Sequence, residues 1–150
     1  MDRTEPQLTS LFQELILDHY RKPRNKGELP ESSVEIHMRN PSCGDDVHLR
    51  LRLVDGVIAD ARFTGEGCSI SQASVSMMTA LLKGKPVQEA LDLAARFTEM
   101  MHGSAEAAKD RSLGDLRALA GVSKFPVRVK CALLGFDALQ EAIKQNEEKG

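Results

Sequence analysis

"VHLRLRLVDGVIADARF", residues 47–63, decides the fold. Val47, Leu49, Leu51 and Leu53 alternate with His48, Arg50 and Arg52, the period-two rhythm of a half-buried strand. Asp55-Gly56 is a hairpin signal, because a two-residue turn between paired strands needs residues that tolerate positive φ. Residues 57–63 return as the partner strand. Upstream, Val34, Ile36 and Met38 alternate within "SVEIHMR", residues 33–39, and add a third strand. One antiparallel sheet of three strands follows.

Outside this block the period lengthens. Leu11, Phe12, Leu15 and Ile16 give "TSLFQELILDHYRKP", residues 9–23, a helical rhythm, with Thr9 or Ser10 as cap and Pro23 as stop. "RNKGELPES" is a polar connector. After Cys68, residues 69–85 read as a helix, and Pro86 opens another through residue 101. "HGSAEAAKDRS" reads as a loop and "SLGDLRALAGV" as a short helix. Pro126 suits the first turn of a last helix that runs to about Gln145, with the tail NEEKG frayed. Helices bracket one block of strands, which predicts an α+β fold rather than alternating βαβ units.

A chain of 150 residues predicts one compact domain, residues 1–150, large enough for a core without disulfide staples. With 20 basic and 22 acidic residues it carries no nucleic-acid footprint, and without Trp it has no large stacking platform. No apolar run reaches the roughly 18 residues of a membrane span. "MDRTEPQ" lacks the apolar segment of a secretory signal, so a cytoplasmic protein is expected. Three cysteines cannot all pair, and in a reducing compartment they point to metal binding or thiol chemistry.

Cys43, Cys68 and Cys131 are far apart in sequence, yet each falls at an element boundary. The ends of a small sheet lie together, so the three thiols could converge. Cys68 closes the turn "FTGEGC" at a helix N-terminus, where free N–H groups favour thiolate. Cys131 has Arg128 and Lys130 beside it. Three thiolates leave tetrahedral zinc one ligand short. Asp45, two residues after Cys43 with Gly44 between them, is the first candidate for that place, and Asp46 is its rival. A lone cysteine is commonly a small buried residue, and this spacing is not the paired type that marks zinc strongly. Spacing therefore leaves structural and chemical roles both open.

The remaining candidates have plainer readings. His48 and His37 fall on the polar face of strands, and His102 near a helix end. His19 reads as a capping or partner-facing residue, Arg50 and Arg52 as solubilising. The methionine pairs at 77–78 and 100–101 read as core filling. Gly135 weakens its helix.

Taken together, four stretches resemble the SufU-type branch of the IscU-like (NifU N-terminal) family of iron–sulfur assembly proteins. They are "LFQELILDHYRKPRNKG", "NPSCGDDVHLRL", "FTGEGCSISQASVSMMT" and "FPVRVKCALLGFDAL", in that order. Lys130 stands where IscU-type scaffolds place a His before the third cysteine, and the region at about 100–121 resembles the SufU-type insertion. The resemblance implies helices packed on a three-stranded antiparallel sheet, and zinc held by Cys43, Asp45, Cys68 and Cys131. It implies that Cys43 accepts persulfide sulfur from a SufS-type, pyridoxal-phosphate-dependent cysteine desulfurase and passes it toward SufBCD machinery. Arg128 matches an arginine of the family's "R-x-K-C" stretch, with a supporting electrostatic role. Two alternatives remain: a scaffold that carries an iron–sulfur cluster on the same cysteines, and a non-catalytic adaptor with structural zinc.

Overall fold

The structure, a computed structural model, describes residues 4–41 and 44–149, with side chains from 11 to 41 and 44 to 148. Helix α1 (Thr4–Arg21) precedes strands β1 (Val34–Asn40), β2 (Asp45–Val54) and β3 (Val57–Glu66). Helices α2 (Ser69–Leu82), α3 (Val87–Met101) and α4 (Ala105–Ala108) follow. A 3₁₀ segment (Arg111–Lys124) then leads into α5 (Pro126–Lys149).

The strands form one antiparallel sheet in the order β1-β2-β3, so the α+β architecture agrees with the sequence pattern. Asp55 and Gly56 have φ of 52° and 76°, the left-handed pair that a tight hairpin requires. Val47, Leu49 and Leu51 point into the core, where α2 and α5 cover the sheet. Phe97 of α3 stacks on Phe136 of α5 with centroids 4.5 Å apart, joining the third layer to the second. Met77, Met78, Met100 and Met101 fill this core, as their spacing predicts.

Several boundaries differ from expectation. α1 begins at Thr4, so Thr9 and Ser10 lie within the helix rather than at its start. The segment expected as a loop contains α4, because the Ser104 side chain accepts the Ala107 N–H and so pairs a first-turn donor. The short helix after it is a 3₁₀ segment, kinked at Gly114, whose φ of 55° and ψ of −131° leave the helical region. α5 continues to Lys149 rather than fraying. The polar connector after α1 is also pinned: Lys26 bridges to Phe63, and the Gly27 N–H donates to the Phe63 carbonyl at 2.8 Å.

Two polar residues are interior rather than surface groups. Arg50 is buried beneath Glu28 and Glu35, at 3.2 and 3.4 Å, and donates to Thr64 Oγ1 at 2.9 Å. A guanidinium can be buried here because carboxylates and a hydroxyl occupy its donors. His19 is buried between Ser76 Oγ, 2.8 Å from Nδ1, and Asp115 Oδ2, 2.9 Å from Nε2. It ties α1 to α2 and to the 3₁₀ segment. Gly135 faces Val75 where α2 and α5 cross; an added Cβ would stand 3.1 Å from Val75 Cγ2. Its missing side chain permits close helix packing and does more than weaken α5.

Candidate metal centre

Asp45 is the first residue of β2 and pairs with Asn40, the last of β1. It therefore stands at the end of the sheet from which the chain leaves β3 toward α2. Cys68 is the N-cap of α2, and its backbone N–H donates to Asp45 Oδ1 at 2.9 Å. The Cys68 thiol faces Asp45 Oδ2 at 3.8 Å, and the Ser71 N–H approaches Cys68 Sγ at 3.5 Å. Cys131 enters from α5 and is buried, with its thiol 3.7 Å from the Val127 carbonyl.

One donor atom each from Asp45, Cys68 and Cys131 lies within 4.8 Å of the other two. These residues come from three different elements. Gly67 makes the approach possible: a Cβ there would collide with Asp45 Oδ1 and stand 2.7 Å from Ser71 Oγ. The small residue before Cys68 lets the carboxylate reach the helix N-terminus.

The donor set fits zinc. With Zn–S near 2.3 Å and Zn–O near 2.0–2.2 Å, a tetrahedral ion sets its S and O ligand atoms about 3.5 Å apart. The observed Cys68 Sγ–Asp45 Oδ2 separation is 3.8 Å. Two soft sulfurs and one carboxylate are a zinc-type combination, and three protein donors leave a fourth position to fill. Cys43, the expected fourth ligand, lies outside the described residues. The connection that carries it starts and ends at the Asn40–Asp45 pair, with Gly44 in the left-handed region at φ 71°.

The rival ligands have other partners. Asp46 Oδ1 is 2.6 Å from His37 Nε2, and its other oxygen is 3.9 Å from Arg39. His48 has Arg50 at Nδ1, 3.3 Å away, and Glu35 near Nε2 at 3.7 Å. His102 is the exposed C-cap of α3. Lys130 is exposed beside Cys131. Arg128 lies one turn before Cys131, exposed, and contributes no donor to the cluster. It lines a cleft of about 690 Å³ with Phe12, Ile16, Ile70, Val122 and Phe125. Phe125 is 60% exposed and Val127 65%, which leaves an apolar rim beside the metal centre. Sequence reasoning missed Gln72, a buried amide one turn past Cys68. Its position in an otherwise small and apolar helix was the available signal. No helix among the described residues is long and apolar enough to cross a membrane.

Comparison with known proteins places relatives along nearly the whole chain. A family model described as the NifU-like N terminal domain matches residues 11–150. The zinc-dependent sulfurtransferase SufU of Bacillus subtilis is 48% identical over 140 residues, covering 93% of this chain and 94% of that protein. The iron–sulfur cluster assembly scaffold protein IscU of Streptococcus pyogenes is 41% identical over 140 residues, covering 93% and 87%. A crystal structure from Fervidobacterium islandicum, described as a candidate iron–sulfur cluster assembly scaffold for the SUF system, superposes with a TM-score of 0.76. It is 34% identical and covers 86% of this chain and 93% of its own.

Proposed function

The chain belongs to the NifU-like N-terminal domain family, and from that premise we propose that it is an iron–sulfur cluster assembly protein that carries sulfur and depends on zinc. The convergence of Asp45, Cys68 and Cys131 within 4.8 Å carries this reading, because it builds three quarters of a tetrahedral zinc site at one end of the sheet. Cys43 completes the set and is the sulfur acceptor. Zinc, when bound, keeps its thiol ligands deprotonated at neutral pH. The whole chain, 1–150, acts as one domain of this kind, with the segment at about 100–121 as an insertion, in the cytoplasm.

The donor is a SufS-type, pyridoxal-phosphate-dependent cysteine desulfurase with a persulfide on its own cysteine. The Cys43 thiolate attacks the terminal sulfur. The S–S bond of the donor breaks, its cysteine leaves as a thiolate, and Cys43 becomes the persulfide. This is thiol–disulfide exchange in form and needs no external oxidant or reductant. Arg128 and the apolar rim around Phe125 face the partner, and SufBCD machinery is the recipient. The buried carboxylate Asp45, held by the Cys68 N–H at 2.9 Å, stays in place while Cys43 reacts.

A desulfurase assay tests this. The unmodified chain accelerates alanine release from cysteine, and Cys43→Ala does not; full acceleration by Cys43→Ala overturns the acceptor assignment. Metal analysis separates the second reading, a scaffold for a cluster on the same cysteines, which the name of the streptococcal relative favours. One zinc per chain without visible absorbance supports sulfur transfer. An oxygen-sensitive coloured cluster supports the scaffold.

A further inference from the structure

Gln72 sits on α2, four residues past Cys68, and is 4% exposed. Neither its Nε2 nor its Oε1 has a hydrogen-bond partner among the described residues. The other polar side chains buried on α2 are satisfied. Ser71 donates to the Cys68 carbonyl, Ser74 to the Ala132 carbonyl and Thr79 to the Ser76 carbonyl, and Ser76 bonds His19. Gln72 is the exception, and a methionine of similar length would avoid the cost of an unpaired buried amide. On a helix, residues four apart share a face, and side chains lean toward the N-terminus. Gln72 therefore stands one turn past Cys68, the N-cap residue of the same helix.

We propose that Gln72 is a positioning residue for Cys68 as a metal ligand: after rotation about its side-chain torsions, its Nε2–H donates to the Cys68 sulfur when that sulfur is a bound thiolate. This rests on the zinc reading given above. A thiol sulfur is a weak acceptor, and a thiolate rewards a donor far more. Gln72 then adds a second N–H to the one that Ser71 already directs at the sulfur from 3.5 Å. Hydrogen bonds of this kind fix a ligand's orientation and strengthen its hold on the metal. They make Cys68 the thiolate that stays, and leave the exchangeable position to another thiolate.

The test compares the unmodified full chain with Gln72→Met and Gln72→Leu. Zinc is titrated against a competing chelator, and cobalt(II) is substituted to read the sulfur-to-metal charge-transfer band. Both variants are expected to hold zinc about tenfold more weakly. They also shift the cobalt band, while the metal-free protein melts no lower than the unmodified chain. If either variant binds zinc equally and keeps the cobalt band, Gln72 is only a hydrated core amide and the inference falls alone. If the unmodified chain takes up neither metal, the zinc reading falls as well.

Discussion

The backbone N–H of Cys68 donates to Asp45 Oδ1 at 2.9 Å, so the N-cap of α2 is tied to the first residue of β2. One bond fixes the helix start and the carboxylate together. Gly67 lets them meet, and Cys131 closes on the pair from α5. Bringing the candidate ligands together and docking the start of α2 on the sheet therefore use the same contacts.

Asp45 has a structural role that can be separated from its proposed role as a metal ligand. Asp45→Ala removes the acceptor of the part-buried Cys68 N–H and is expected to destabilise the metal-free protein by about 1–3 kcal/mol. Asp45→Asn keeps an acceptor oxygen and costs less than about 1 kcal/mol. Both weaken zinc retention, because a neutral side chain is a poorer ligand. Denaturant melts of chelated protein, alongside zinc content, measure the two effects; equal melts for Ala and Asn would sink the separation.

Gly135→Ala sets helix propensity against packing. Alanine favours a helix interior over glycine by about 1 kcal/mol. The new Cβ would stand 3.1 and 3.2 Å from Val75 Cγ2 and Cβ, and Val75 is itself fully buried. Overpacking of this sort costs about 1–3 kcal/mol, so a net loss of stability is expected. A thermal melt of the variant decides it, and a raised midpoint contradicts the close-packing account.

His19→Leu keeps the volume of the buried side chain but removes both hydrogen bonds that span α1, α2 and the 3₁₀ segment. Ser76 Oγ retains the Arg24 N–H at 2.8 Å, and Asp115 is half-exposed, so neither is stranded. The expected loss is about 1–2 kcal/mol. Hydrogen exchange should speed up most in residues 111–124, where the tie to Asp115 is lost.

Asp110 supplies a pH signature. The Ser112 hydroxyl, the Ser112 N–H and the Arg96 guanidinium hold its carboxyl at about 2 against an ordinary 3.8. A group depressed on folding contributes stability above its unfolded value and loses it as pH falls through the folded one. Asp110→Asn should therefore be less stable than the unmodified chain at neutral pH. That difference should narrow between pH 3.8 and about 2. Melts across that range test it, and a gap independent of pH removes the carboxylate from the explanation.

The strands were legible because sheet pairing repeats every second residue. Val47 to Leu53, the Asp55-Gly56 turn and the antiparallel order all follow from alternation. Asp45 and the cysteines were legible as residue types at element ends. Asp45 rather than Asp46 is in the cluster for a reason the notation of the chain only hints at. Successive strand residues face opposite sides, and Asp46 turns to His37 while Asp45 turns inward. His19, read as a capping or partner-facing residue, and Arg50, read as solubilising, are buried, because burial of a polar side chain depends on partners distant in sequence: Ser76, Asp115, Glu28 and Thr64. Local pattern carries no trace of such partners.

The amino-acid sequence by itself determined the α+β order of elements and the hairpin, because local periodicity and turn chemistry specify those; the candidate ligands were implied by resemblance to a family. Only the tertiary structure decided that Asp45, Cys68 and Cys131 share a site, since β2, α2 and α5 meet through core packing and not through neighbouring positions. It also decided that Gln72, one turn past Cys68, is buried with no hydrogen-bond partner among the described residues. The physical reason is common to both. Periodicity is a property of neighbours a few residues apart, whereas convergence and burial depend on how whole elements close over one core.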